Sequence, residues 1–498
     1  MNVDGDARRR VVLLIALTCA VIALLLGAVG LADASLWLDE TFSVFDARRS
    51  LGDIFAMRGE AYGGAHHPPG YFLLLKGTIA VCGTSEVCVR GPSVLANAGL
   101  AFVLAVLGAR LFGVLAGAGA GIVWATTPYA IKYAQQARHY TLLALVAGVA
   151  MLLLVRVLGD RRAARDRMFV ALGLVFACGL WLHLFALPFL GMLAVAVPVV
   201  LWLGGAHVVR PTRRQWAIAI GTGAVASVPL VPGMWRVWIT GGGGQLASKA
   251  GPVENARELL VDLVTFGLDT PWVPIVIACA LLVPTWRGRG LVLGLVVLSI
   301  APLGVVFVRN PEHFVTLRYF MPSLVPVALA FGAGVGAVHG RATSLAQKWV
   351  GARAGVVGAV GAAIVLAWPV IAIARLHDTG LRKQWATAGF EPWRDVAAAI
   401  RAAAQSGDIM VLVPHELVLY PLLVYELGIP LHAEAELADA LATAPTGVFV
   451  VTSHIDRKER SNARRDVMRT ISGARYVRAP LQGVPEQRAI EVLLYRPR

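Results

Sequence analysis

Three polar clusters interrupt an otherwise apolar chain, and each has residue types that can do chemistry. The first is Leu36-Trp37-Leu38-Asp39-Glu40-Thr41-Phe42-Ser43, where two adjacent carboxylates lie in an aromatic setting just after the first long apolar run. A partly desolvated carboxylate holds protons more tightly than one in water, which suits such a position to a catalytic base. The plainer reading is a pair of solvated loop acids, with Asp39 capping the following helix. The second cluster is His66-His67-Pro68-Pro69-Gly70-Tyr71. Two prolines stiffen the turn behind two imidazoles that could donate to an anion. The plainer reading is a rigid loop with incidental histidines, and a metal site would need further ligands.

The third cluster runs from Tyr129 to Tyr140 and combines Lys132, Arg138, His139 and three tyrosines. Arg309 and the pair Arg318-Tyr319 repeat the theme later in the chain. Arginine presents a planar fork that matches phosphate. Taken singly, each cation reads as an anchor snorkelling to the membrane surface. Several of them around one acidic pair suggest an anionic ligand. His183 closes an apolar run and reads as a satisfied buried histidine.

These clusters need a scaffold, and composition specifies its class. Of 498 residues, 57% are hydrophobic and only 15% are charged, more apolar surface than a soluble chain can hide. Val11 to Leu31 carries no charge except none beyond its flanks, and its length suits a bilayer crossing. In lipid such runs must be helices, because the backbone has to satisfy its own hydrogen bonds. The formal net charge of +15 is distributed as short basic clusters between apolar runs, which points to membrane topology and away from nucleic acid. Helices are expected near 11–31, 93–110, 112–130, 140–158, 168–183, 186–203, 216–238, 271–285, 290–308, 319–338 and 353–374, about eleven spans. With Arg8-Arg9-Arg10 and the later clusters at Arg161–Arg167, Arg210–Arg214, Arg287–Arg289 and Arg341–Arg353 all inside, the spans alternate without conflict. The N-terminus is then cytoplasmic, and 32–91 is one long external segment bearing the first two clusters. The apolar stretch Tyr71–Val81 is short for a crossing and is expected to lie in-plane or re-enter. A cleaved signal peptide is disfavoured because the first apolar run exceeds a usual signal core.

Cys82 and Cys88 fall in that external segment and are either a disulfide or two free thiols; Cys19, Cys178 and Cys279 read as small core residues. No Cys/His spacing calls for a metal, although a divalent ion is compatible with the site. Gly241–Gly244 lacks the pattern of a phosphate loop and reads as a linker. From 375 to 498 the pattern becomes alternating: helix over Glu391–Ala404, strand over Asp408–Val413, helix over Glu416–Leu427, strand over Gly447–Thr452, helix over Arg457–Ile471, then strands over Ala474–Val477 and Ala489–Tyr495. The expected architecture is an all-α polytopic membrane bundle over 1–374 with a small C-terminal extracytoplasmic α/β domain over 375–498.

The ordered motifs W-L-D-E-x-F-S (Trp37 to Ser43), H-P-P-G-Y-F (His67 to Phe72), S-E-V-x-V-R-G-P-S (Ser85 to Ser93), Q-Q-A-R-H-Y (Gln135 to Tyr140) and R-Y-F-M-P-S (Arg318 to Ser323) resemble the bacterial branch of GT-C type membrane glycosyltransferases. The chain is similar to the protein O-mannosyltransferase and lipid A aminoarabinose transferase group over most of residues 10–375. Trp393 to Leu412 resembles the outer domain of such proteins. The resemblance implies an inverting transferase that takes a sugar from a polyprenyl-phosphate carrier to an acceptor hydroxyl at the outer face. It implies Asp39 as base, with Glu40 as helper or second candidate. It places His66, His67, Arg138, Arg318 and Tyr319 at the donor phosphate, with Lys132, His139, Tyr140, His183 and Arg309 as further candidates. The implied partners are membrane lipids, polyprenyl phosphate and a glycan or glycolipid acceptor.

Two departures from the group matter. The loop between about 239 and 270 is too short for the β-trefoil domain of protein O-mannosyltransferases, which argues against a protein acceptor. His67 stands where the aminoarabinose transferase has a phosphate-binding lysine. Activity should then fall as pH rises through the imidazole range, and a flat profile over about pH 6–8 would count against a charged His67. A transporter of a lipid-linked sugar would show paired repeats and mid-membrane charges, which this sequence lacks. A non-catalytic envelope scaffold using the outer domain would tolerate loss of Asp39.

Overall fold

The computed structural model describes residues 3–58, 67–160, 165–184, 186–187, 189, 191–192, 199, 208–239, 252–265, 272–283, 285–309, 317–364, 367, 392–453, 458–483 and 490–498. Nine helices precede residue 183: α1 (Val3–Ala28), α2 (Leu38–Arg48), α3 (Leu51–Phe55), α4 (Pro69–Cys82), α5 (Glu86–Phe112), α6 (Val114–Thr126), α7 (Pro128–Ala134), α8 (Tyr140–Gly159) and α9 (Asp166–Leu182). Among the described residues six helices are long and apolar enough to cross a membrane: Asp6–Ala28, Glu86–Phe112, Tyr140–Gly159, Arg213–Val237, Trp286–Gly304 and Arg318–Val350. The pair α6 and α7, bent by 57° at Thr127, makes a seventh. The bend follows from Pro128, which has no N–H to continue the ladder and disfavours helix at the residue before it. This is a multi-pass membrane protein.

The other expected spans are shorter or lie elsewhere. The expected 168–183 span is α9, of 17 residues. The 271–285 span is Trp272–Cys279 followed by one 3₁₀ turn. The 353–374 span is described as helix over Ala354–Ile364. Most of the 186–203 span, Gly241–Gly244 and the boundary near 375 fall outside the described residues.

The Met321–Val350 helix is the axis of the bundle, with every residue from Met321 to Val335 buried. Small residues allow this. A Cβ at Gly332 would overlap the Ala116 carbonyl of α6, and one at Gly117 would overlap the Ala105 carbonyl of α5. Helices in lipid gain their association from such close packing, since burial from lipid tails adds little. The helix thereby carries Arg318, just ahead of its first turn, to a fixed height beside α8.

Among the described residues, the segment 32–91 folds as α2, α3 and α4 before the start of α5, and α4 is a 14-residue helix over the expected apolar stretch Tyr71–Val81. Cys82 and Cys88 are disulfide-bonded with Cα atoms 5.9 Å apart, tying the end of α4 to the first turn of α5. The second span begins at Glu86, seven residues earlier than the expected 93.

The C-terminal part is a five-stranded sheet in the order β2-β1-β3-β5-β4. Its strands are β1 (Ile409–Val413), β2 (Leu431–Ala433), β3 (Val448–Ser453), β4 (Tyr476–Ala479) and β5 (Ile490–Pro497). β2, β1 and β3 run parallel, while β5 is antiparallel to β3 and β4. β1 and β3 are buried throughout, as strands covered on both faces must be. Met410 and Leu412 pack with Trp393 and Ile400 on one face, and Ile409 and Val411 with Val467 and Ile471 on the other. Each expected strand and helix is present; β2 and a short helix at Leu437–Ala442 were not foreseen.

Candidate functional site

The site begins with the first turn of α2. Trp37 precedes the helix in extended conformation, and its N–H donates to Glu40 Oε2 at 3.2 Å. Asp39 and Glu40 both lie in the first turn, where free N–H groups favour negative charge. Successive helical side chains point about 100° apart, so the two acids diverge. Glu40 turns inward and is fully buried. It takes Arg90 Nε at 2.8 Å and a second Arg90 nitrogen at 2.7 Å in a bidentate pair, and the Ala137 N–H at 2.7 Å. Glu40 was expected as a helper or second base. Its oxygens are enclosed and already accept four hydrogen bonds.

Arg90 was not singled out from sequence. Its guanidinium, 2% exposed, also donates to the carbonyls of Leu31, Ala34 and Ser35 at 2.7, 2.9 and 3.0 Å. One side chain thus fastens the exit from α1, the start of α2 and the first turns of α5. The signal was present: a lone arginine in the apolar run after Val87 must find a partner.

Asp39 turns outward, with 23% of its side chain exposed, and Arg318 donates to its Oδ2 at 3.1 Å. Arg318 also donates to Tyr319 Oη at 3.3 Å and lies over the rings of Trp37, Tyr140 and Tyr319. Arg138 sits beneath Asp39, almost wholly buried. It donates to the Asp39 carbonyl and to Ser43 Oγ, both at 3.1 Å, and to Tyr140 Oη at 3.4 Å. The Nε atoms of Arg138 and Arg318 are buried without a partner among the described residues.

His67, His139 and His183 come together beside these arginines. The rings of His139 and His183 stack at 4.3 Å, His67 lies 5.3 Å from His183 and 6.0 Å from His139, and Tyr319 stacks on His183 at 6.1 Å. They come from the start of α4, the turn before α8 and the end of α9, so only the fold joins them. Burial, then the neighbouring His183 and Arg138, push His139 well below the ordinary histidine value. Among the described residues no set of three His, Cys, Asp or Glu side chains is arranged to hold a metal. Lys132 is exposed, with its ammonium 5.7 Å from the centre of the Tyr133 ring. His66 and the side chain of Arg309 lie outside the described residues.

The C-terminal unit closes over the same loop. Tyr425 Oη accepts from the Leu36 N–H at 2.9 Å and donates to Glu86 at 3.1 Å. Arg394 donates to Glu86 at 3.3 Å and to the carbonyls of Ala32 and Asp33 at 2.9 and 3.2 Å. Tyr420 packs edge-on against Phe42 and Phe45, each at 4.9 Å. The segment that carries Asp39 is thus held from below by Arg90 and from above by the sheet domain.

Comparison with known proteins agrees with this architecture. Residues 66–235 match the family model of dolichyl-phosphate-mannose-protein mannosyltransferases, a stretch that contains His67, Arg138, His139, Tyr140 and His183. The chain is similar in structure to apo ArnT from Cupriavidus metallidurans, with a TM-score of 0.61 at 15% identity over 96% of this chain and 97% of that one. It is also similar to the same protein bound to undecaprenyl phosphate, with a TM-score of 0.58 at 14% identity over the same shares. No curated protein sequence matches the chain. The fold is that of the GT-C glycosyltransferases, a polytopic helical bundle with a small C-terminal sheet.

Proposed function

We propose that the chain is an inverting glycosyltransferase that moves a hexose or pentose from a polyprenyl-phosphate carrier to an acceptor hydroxyl, at the outer face of the membrane. The observation that carries this reading is the Asp39 carboxylate, partly exposed and 3.1 Å from Arg318, beside a cluster of three histidines. The matched mannosyltransferase family and the ArnT structure with undecaprenyl phosphate support a donor of this class.

In this reading Asp39 takes the proton of the acceptor hydroxyl. The freed oxygen bonds to the anomeric carbon as the bond from that carbon to the phosphate oxygen breaks, and the electron pair leaves with the lipid phosphate. One displacement inverts the anomeric centre. Negative charge grows on the departing phosphate, and fixed cationic donors aimed there supply most of the acceleration. Arg318 and His67 are the groups we assign to that phosphate, with Tyr319 orienting Arg318. Buried donors normally have partners, and the unpartnered Nε of Arg318 and Nε2 of His139 are suited to receive one. Arg138 is assigned to position the Asp39 backbone, and Arg90 with Glu40 to hold the helix start. The acceptor is read as an envelope glycan or glycolipid.

The basic ends of α1, α5, α8 and α9 lie opposite Asp39, which supports an outward site with the N-terminus and basic loops in the cytoplasm. The test is transfer or slow hydrolysis of a labelled polyprenyl-phosphate sugar by protein in nanodiscs. Asp39→Asn should lower turnover by about 10²–10⁴-fold with an unchanged unfolding temperature. Retained turnover would remove Asp39 as the base and favour a carrier-lipid transporter or a scaffold.

A further inference from the structure

The four helices that present the site at one end form a second feature at the other. The start of α1, the end of α5, the end of α8 and the start of α9 enclose an open cleft of about 880 Å³. Arg8, Arg9, Arg110, Arg156, Arg165 and Arg167 line it, and Asp160 is the one acid among its lining residues. Six positive charges line the cleft against Asp160 within it and Asp6, 4.0 Å from Arg9, beside it, which leaves the cleft cationic. Its inner wall is apolar, formed by Val12, Phe102, Val106 and Leu152. On α8 the cleft is lined by Leu152 and Arg156, so at 1.5 Å per residue it lies about 18–24 Å from Tyr140 and the cluster around Asp39.

This arrangement exceeds what topology alone asks. Inward-facing arginines orient a bundle when they are scattered over its loops. Here arginines from four helix ends face one cavity, and like charges gathered there repel unless an anion joins them. Arg110 and Arg156 belong to the last turns of their helices, so they sit at headgroup depth rather than in open water. Cationic donors above an apolar wall match a molecule with phosphate at one end and acyl chain at the other. Guanidinium forks suit phosphate, and basic pockets between spanning helices are known to take anionic lipid headgroups.

We propose that this cleft is a binding site for an anionic phospholipid of the leaflet opposite the catalytic face, with more than one phosphate charge favoured. The lipid would join the ends of α1, α5, α8 and α9. The proposal does not depend on the transferase reading.

The test titrates purified full-length protein with cardiolipin or phosphatidylcholine and reads retained lipid by native mass spectrometry. Wild-type protein should retain cardiolipin in preference to phosphatidylcholine. The variant Arg9→Gln/Arg110→Gln/Arg165→Gln/Arg167→Gln, whose four positions are exposed, should bind cardiolipin about tenfold or more weakly with an unchanged unfolding temperature. Equal cardiolipin retention by both proteins, or equal retention of the two lipids by wild type, would overturn the site. A third arm adds inorganic phosphate or glycerol phosphate to the wild-type complex. Failure to displace cardiolipin is expected, and displacement at comparable concentration would overturn the lipid assignment in favour of a soluble phosphate ligand.

Discussion

Asp39 and Glu40 are neighbours with opposite environments, and Arg90 accounts for the difference. A buried pair broken from one side leaves an uncompensated charge, which costs about 3–5 kcal/mol. Arg90→Met should therefore lower the unfolding temperature sharply in a thermal-shift assay. Replacing both partners, as Arg90→Met with Glu40→Leu, removes the stranded charge and should restore most of that stability. Turnover should stay low in the double variant, because the turn bearing Asp39 loses its fastening. Recovery of turnover together with stability would reduce the pair to a packing element. His139 makes a second residue-scale prediction. Its folded-state proton affinity is depressed by burial, so the unfolded chain binds the proton first. Stability is then fully present above the ordinary histidine pKa of about 6.5 and declines as pH falls below it. Unfolding temperatures measured down a pH series should drop in that window for the wild type and less for His139→Gln.

At the scale of elements, what could be read from sequence followed physical lines. Long uncharged runs announced α1, α5 and α8, and the alternating pattern after residue 375 announced β1, β3 and β5. Asp39, His67, Arg138, Arg318 and Tyr319 were expected one at a time from residue type and motif order. The stacking of His139 on His183 was not legible, because nothing local in either segment specifies the other. β2 escaped because Leu431–Ala433 is only three residues long. Arg90 was overlooked because it lay in a motif already used for resemblance. The short loop between Cys82 and Cys88 gives the disulfide a modest role: closing it should contribute about 2 kcal/mol by the chain-entropy argument. Intact-mass alkylation of protein from oxidising membranes should find these two cysteines blocked until reductant is added. Free thiols there would argue against an outward α4.

At the scale of the whole molecule, the described residues of the bundle and the sheet domain meet over the segment that carries Asp39. Glu86 is the meeting point, taking Tyr425 and Arg394 from the sheet domain at 3.1 and 3.3 Å. The variant Tyr425→Phe with Arg394→Ala should leave each part folded but loosen their contact. Limited proteolysis should then cut between them faster, and transfer should fall with it. Unchanged proteolysis would show that the aromatic contacts of Tyr420 suffice.

The pairing of Asp39 with Arg318 also has a consequence in time. The two residues are 279 positions apart, and Leu36 and Tyr425 are 389 apart. At ribosomal speeds of about 5–20 residues per second, the acid emerges roughly 15–55 s before its arginine. Through that interval the carboxylate is without Arg318, although Arg90 and Arg138 have already been made. The Asp39–Arg318 pair can therefore form only after the chain has been synthesised past residue 318.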